Sequence, residues 1–259
     1  MVVSLPGKIT DRPHGQKEVR LNTWTEFNEV VTELLDYPHY VFRGHRINTW
    51  LLEPTLTRKL KQDPAKKEKT TKHLEHFRYA IRGRRGPNPP DLKDDDALWA
   101  LGQHNGLSTP LLDWTASPYV ALFFAFSEED DTSSKTDTRI VWMLNKNSVT
   151  DKSDELEKLG KTEELITFFN PLSDENARLL SQSGLFSKCS GFFEIKSWIE
   201  QHFPPDQSKV TLVRIEIPND DRVACLKSLA RMNINHASLF PDLYGACMNA
   251  NMKLEIPQI

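Results

Sequence analysis

No stretch of this sequence approaches the roughly 20 consecutive apolar residues that a membrane-spanning helix needs. The first residues, Met1 to Lys8, lack the basic segment and apolar run of a secretory leader. A cytoplasmic location without membrane association is therefore expected. Cysteine is scarce too. Cys189, Cys225 and Cys247 are odd in number and far apart, which excludes the paired short spacings of zinc sites and disulfide frameworks. Reduced, buried thiols and no metal are the expectation. Nor is there an excess of positive charge: 33 Lys and Arg stand against 36 Asp and Glu, a formal net charge of -3. No global field draws the chain to nucleic acid, and such a partner would need a local patch. The P-loop, the Gly-rich dinucleotide fingerprint, the His-Glu-x-x-His helix and the Gly-x-Ser-x-Gly elbow are all missing, which removes weight from ordinary kinases, Rossmann dehydrogenases, zincins and α/β-hydrolases.

What is present is an irregular alternation of short elements. The 259 residues are enough to bury a sizeable core, and one elaborated domain over 1–259, with its core at about 23–250, is expected. Thr23-Trp-Thr-Glu26 has the capping-box pattern, followed by Trp24, Phe27, Val30, Val31, Leu34 and Leu35 at helical spacing up to Pro38. Tyr40-Val-Phe42 predicts a buried strand that delivers Arg43 at its carboxyl end. Residues 51–56 suggest an irregular crossing, 65–81 a helix, and the Gly- and Pro-broken segment 82–90 a loop. A helix is predicted over 94–101. Ser117 caps another, with Pro118 at its first position, and Tyr119 to Phe126 is apolar on every side, so that helix is buried, with Ala121 and Ala125 as a narrow packing face. Strands are predicted at 139–144, 165–168 and 210–217, and helices near 174–180, 193–202 and 222–232. Without strict βαβ alternation, the class is α+β, a mixed or antiparallel sheet with surrounding helices.

Polar residues where a core would prefer apolar ones mark the chemistry. Arg43 directly follows an apolar strand and precedes Gly44, which permits close approach of backbone or ligand. Its guanidinium could hold a phosphate bidentately, or could simply pair with a carboxylate such as Asp113. In Gln103-His104-Asn105-Gly106, His104 could be an acid/base group or a ligand contact, or the four residues could finish a helix. Asp113-Trp114-Thr115 stands just before the amino terminus of the buried helix, where free amides attract phosphate. As the alternative, Thr115 and Ser117 are caps and Asp113 an acceptor. Gln182 lies in a polar turn, and Asp242 after Pro241 begins a helix. His73 and His76 lack a third metal ligand, and Arg78, Arg82, Arg84 and Arg85 suit a solvated face.

The segments Tyr40-Val-Phe-Arg-Gly-His45, Gln103-His-Asn-Gly-Leu-Ser-Thr-Pro-Leu-Leu-Asp-Trp-Thr115 and Ser117-Pro-Tyr-Val-Ala-Leu-Phe-Phe-Ala125 resemble the FRG domain family, named for its Phe-Arg-Gly motif. Asn176-Ala-Arg178, Gln182-Ser-Gly-Leu-Phe186 and Ser238-Leu-Phe-Pro-Asp-Leu-Tyr-Gly245 follow in family order. Leu107-Ser108 and Tyr244 depart from the pattern. The arrangement is similar to that of ADP-ribosyltransferases. The resemblance implies NAD as cofactor, with Arg43, Gly44, Gln103, Thr115 and Ser117 holding it and Arg43, His104, Asp113, Thr115 and Gln182 as catalytic candidates. It further implies a toxin or antiphage effector that meets a protein acceptor or a cognate inhibitor. The carboxylate such enzymes need at the ribose is left to Asp113, with Asp242 second. A non-catalytic nucleotide- or protein-binding sensor is the competing expectation.

Overall fold

Eight strands form one sheet: β1 (Lys8–Arg12), β2 (Gln16–Arg20), β3 (Tyr40–His45), β4 (Leu111–Thr115), β5 (Thr138–Asn145), β6 (Ile166–Phe169), β7 (Gly184–Cys189) and β8 (Leu212–Pro218). Their spatial order is β1-β2-β8-β5-β3-β4-β7-β6. Neighbours are antiparallel throughout except β2 with β8. This computed structural model describes residues 5–84, 91–130, 136–171, 177–257 and 259. Among them lie eleven α-helices: α1 (Phe27–Glu33), α2 (Thr55–Leu60), α3 (Lys66–Ala80), α4 (Asp95–His104), α5 (Pro118–Phe126), α6 (Lys146–Lys158), α7 (Ala177–Ser181), α8 (Ile195–His202), α9 (Arg222–Arg231), α10 (His236–Leu239) and α11 (Leu243–Glu255). None is long and apolar enough to cross a membrane. The expected α+β class is what the chain adopts.

Strand β5 shows why the sheet centre is apolar in sequence. Ile140, Trp142 and Leu144 enter the cluster shared with α6 and α8, while Val141 and Met143 enter the one under α5. Successive side chains leave a strand on opposite faces, so a strand covered on both sides is hydrophobic at every position. Helix α5 is buried along nearly its whole length, and each fully buried side chain such as Leu122 or Phe126 contributes roughly 1.5–3 kcal/mol of transfer free energy. Ser117 caps it as expected, its hydroxyl accepting from the Val120 amide at 3.4 Å, with Pro118 first in the helix.

Several local expectations are corrected. Thr23 makes no side-chain cap. The Glu26 carboxylate instead accepts from the Asn22 amide at 2.9 Å, and a 3-10 turn precedes α1. Strand β3 continues past Arg43 to His45, so Arg43 sits inside a strand. Residues 111–115, which lead toward the buried helix, form a strand, a second strand at 184–189 begins just after the turn at Gln182, and 55–60 is helical. Strands β1 and β2 and helix α6 carry no expectation from the pattern. In α6 the signal is thin, because only Ser148, Val149, Ser153 and Leu156 are buried. Part of the predicted helix at 174–180 and of the loop at 82–90 lies outside the described residues.

Candidate functional site

Strands β3 and β4 are registered at a single pair, Phe42 with Thr115, although β3 pairs with β5 and β4 with β7 along their lengths. Beyond that pair they part, and a cavity of about 330 Å³ opens at the split. Arg43 spans it. Its Nη1 donates to the Asp113 main-chain carbonyl at 2.7 Å and lies 3.5 Å from the Asp113 carboxylate, in place of a ladder hydrogen bond. Its Nε donates to His45 Nε2 at 3.1 Å.

Gln103, in the last turn of α4, donates to Asp113 Oδ2 at 2.7 Å, and its carbonyl accepts from the buried Thr109 hydroxyl. The Asp113 side chain, 53% exposed, is thus oriented by an amide and a guanidinium while keeping solvent access. The reading of Arg43 as the partner of Asp113 is the one realised, inside a cavity. Asn105 and Gly106 finish α4 as the helix-terminus reading expects: Asn105 Nδ2 donates to the Leu101 carbonyl at 2.9 Å, and Gly106 has φ of 86°.

Arg43, Gly44, Gln103, His104, Asp113, Thr115 and Gln182 all line this cavity. Their availability differs. The Thr115 hydroxyl donates to the Gln182 carbonyl at 2.6 Å and accepts from the Ser117 amide at 3.0 Å, so it ties the split together. Ser117 caps α5, as its alternative reading expects, and does not line the cavity. Gly44 is small because α5 crosses it: a Cβ there would lie 2.0 Å from the Ala121 carbonyl oxygen and 2.6 Å from the Ala125 nitrogen. The narrow face of α5 thus serves contact with β3. Gln182 donates to the Leu239 carbonyl at 3.0 Å.

His104 is half-buried, and burial, followed by the nearby Arg178 charge, lowers its pKa against the opposing pull of Asp242 and Asp113. It is therefore mainly neutral near pH 7, with a ring nitrogen able to accept a proton. His45 is pushed down to about 3 by burial first and by Arg43 second. Arg43 Nε and Trp142 Nε1, at 3.1 and 3.2 Å, are obligate donors aimed at its two ring nitrogens, so a protonated imidazole would face N–H groups on both sides.

The structure adds residues the sequence reading passed over. Arg46, Trp50, Glu128 and Phe240 line the cavity, with Arg178 beside them. Glu128 sits 3.3 Å from Arg46 Nε with its side chain 70% exposed. The segment is anchored two residues on, where Asp130 pairs with the fully buried Arg139 at 3.0 Å. The sequence signal for Glu128 was only its place two residues beyond a buried helix. Arg178 lies 5.3 Å from both the Phe240 and Tyr244 ring centroids and pairs with Asp242 at 2.5 Å. Asp242 also caps α11 through the Gly245 amide and does not line the cavity. His73 bonds the Ser108 carbonyl at 2.9 Å and packs against Trp99, so it is part of the framework. In the basic cluster Arg78 pairs with Asp95 at 2.5 Å, and Arg85 lies outside the described residues.

Arg43, Arg46 and Arg178 thus line a concave site between diverging strands, each paired with a carboxylate: Asp113, Glu128 and Asp242 respectively. Fold and cavity define an α+β protein with a polar, charge-paired cleft in its central sheet. Residues 38–134, the segment that includes Arg43, Gln103, Asp113 and α5, match the model of the FRG domain. No curated protein and no solved structure matches it.

Proposed function

We propose that the chain is an NAD-using ADP-ribosyltransferase or NAD hydrolase, acting as a toxin or antiphage effector. The observation that carries this reading is the convergence of Arg43, Gln103, His104, Asp113 and Gln182 on one cavity. Arg43 and Arg178 hold ligand phosphate by charge-assisted hydrogen bonds. Nicotinamide departs with the electron pair of its glycosidic bond, and positive charge develops on the ribose. A carboxylate facing that charge lowers the barrier. Glu128, 70% exposed beside Arg46, is assigned this part, with Asp113, held by Gln103 and Arg43, as the alternative. Water or an acceptor nucleophile then adds to the ribose carbon and gives its proton to a base, for which neutral His104 is placed.

A second reading, a non-catalytic sensor or adaptor that binds nucleotide in the same cleft, is favoured by one observation. Arg43 and Thr115 are both held by internal hydrogen bonds, as in a binding wall. Incubation of the purified protein with labelled NAD, alone and with cell lysate, separates the two. Nicotinamide release that Arg43→Ala abolishes supports the enzyme. Saturable NAD binding without release, lost in the same variant, supports the sensor.

A further inference from the structure

Thr109 stands two residues before β4, fully buried, and does not line the cavity that Asp113 faces. Its main-chain carbonyl accepts from the Leu56 amide at 3.1 Å, and its hydroxyl oxygen accepts from the Leu111 amide at 3.2 Å. The hydroxyl proton remains, and the acceptor it meets is Gln103 Oε1. We propose that Thr109 is a positioning residue acting through Gln103: it fixes which end of that amide meets Asp113, and so keeps Asp113 Oδ1 open to accept from a hydroxyl or N–H of the ligand. The identity of the ligand rests on the nucleotide reading above. The orientation of the amide does not.

An amide side chain has a donor end and an acceptor end, and here each end meets the group it needs. With its carbonyl on the Thr109 hydroxyl, Gln103 donates through Nε2 to Asp113 Oδ2 at 2.7 Å. Turned over, the amide would set its carbonyl against a carboxylate, two acceptors facing each other. The Thr109 proton would at the same time lose its acceptor at a site closed to solvent, which carries the desolvation cost of an unpaired donor. Both penalties select the same orientation. Arg43 Nη1 approaches the same carboxylate oxygen, Oδ2, at 3.5 Å while bonding the Asp113 main-chain carbonyl at 2.7 Å. Among the described residues no donor reaches Oδ1, on a side chain that is half exposed at the cavity. Valine at position 109 would keep the shape of threonine but remove the proton that holds Gln103 Oε1. The amide is then released to rotate, and its hold on Asp113 Oδ2 loosens.

Proton–nitrogen correlation spectra of the full chain test the orientation directly. Gln103→Ala identifies the Gln103 side-chain amide pair by its disappearance. In Thr109→Val that pair should move toward the position of a free glutamine amide, and in Thr109→Ser it should stay where the parent has it. Thr109→Ala is measured in parallel as a second variant without the hydroxyl. A pair that moves in neither of the two overturns the proposal, whatever the ligand. Function is read beside it as nicotinamide release and NAD affinity. Thr109→Val should lower whichever of these the parent shows about tenfold, and Thr109→Ser should recover it to within about threefold. In the Gln103→Ala background Thr109→Val should have no further effect, because the residue through which it acts is gone. An equal loss in that background would mean that Thr109 acts through the fold at large, and overturns the positioning role. A parent that neither releases nicotinamide nor binds NAD overturns the nucleotide reading, and the spectra then decide for or against Thr109 by themselves.

Discussion

Arg43 Nη1 meets the main-chain carbonyl of Asp113 at 2.7 Å, a side chain completing a sheet where its two strands have parted. The guanidinium therefore has two parts, holding the cleft walls at a fixed spacing and presenting charge to a ligand. Lysine keeps the charge but lacks the planar fork that reaches Asp113 and His45 together. Arg43→Lys is expected to lower stability by about 1–2 kcal/mol in urea unfolding and to cut nicotinamide release at least about tenfold.

Gly44 lies under the backbone of α5. Gly44→Ala places its new carbon inside contact distance of Ala121 and Ala125 main-chain atoms, which cannot rotate aside. A loss of about 3 kcal/mol, the upper end of ordinary overpacking costs, is expected in chemical denaturation. A loss below about 1 kcal/mol would mean that α5 can move.

Thr115 acts through its hydroxyl. Thr115→Val leaves the Ser117 amide and the Gln182 carbonyl without their partner and is expected to cost about 1–3 kcal/mol, whereas Thr115→Ser should restore both bonds and most of the stability. If the valine variant kept full stability but lost nucleotide binding, the hydroxyl would be a ligand contact instead.

His45 makes stability depend on pH. Its folded pKa of about 3 lies below the unfolded value of 6.5, so the unfolded chain binds the proton first. The contribution is complete above pH 6.5 and is lost as pH falls toward about 3, with a slope approaching about 1.4 kcal/mol per pH unit inside that window. His45→Asn should flatten the stability profile between pH 6 and 4 relative to the parent, read from urea midpoints. Parallel profiles would show that the imidazole accepts a proton in place.

Glu128 is exposed enough that its loss should leave stability within about 0.5 kcal/mol. Under the proposed activity, Glu128→Gln should reduce the turnover rate about a hundredfold with a small change in KM. An unchanged rate would move the carboxylate role to Asp113.

Local chemistry was legible wherever it acts within a few residues. The Ser117 cap, Pro118 at the helix start, the buried α5 and the Asp242 cap of α11 need only near neighbours in sequence. The capping box at Thr23 failed for a related reason: the Glu26 carboxylate had a competing local donor, the Asn22 amide, which the pattern does not weigh. Strands β4 and β7 were hidden because Asp113 and Lys188 interrupt their apolar runs, and their pairing comes from a partner about seventy residues away.

By itself the sequence marked Arg43, Gln103 and Asp113 as candidates, because they are polar interruptions of an apolar framework and stand in the order of the FRG motif. Only the tertiary structure decided what each is free to do. Ser117 and Asp242 became caps, Thr115 a tie and Gly44 a crossing point, while Glu128, Arg46 and Trp50 reached the cleft from segments without a motif. The physical reason is that a polar group's role depends on which partner satisfies it, and here those partners come from strands and helices that only the parted sheet brings together.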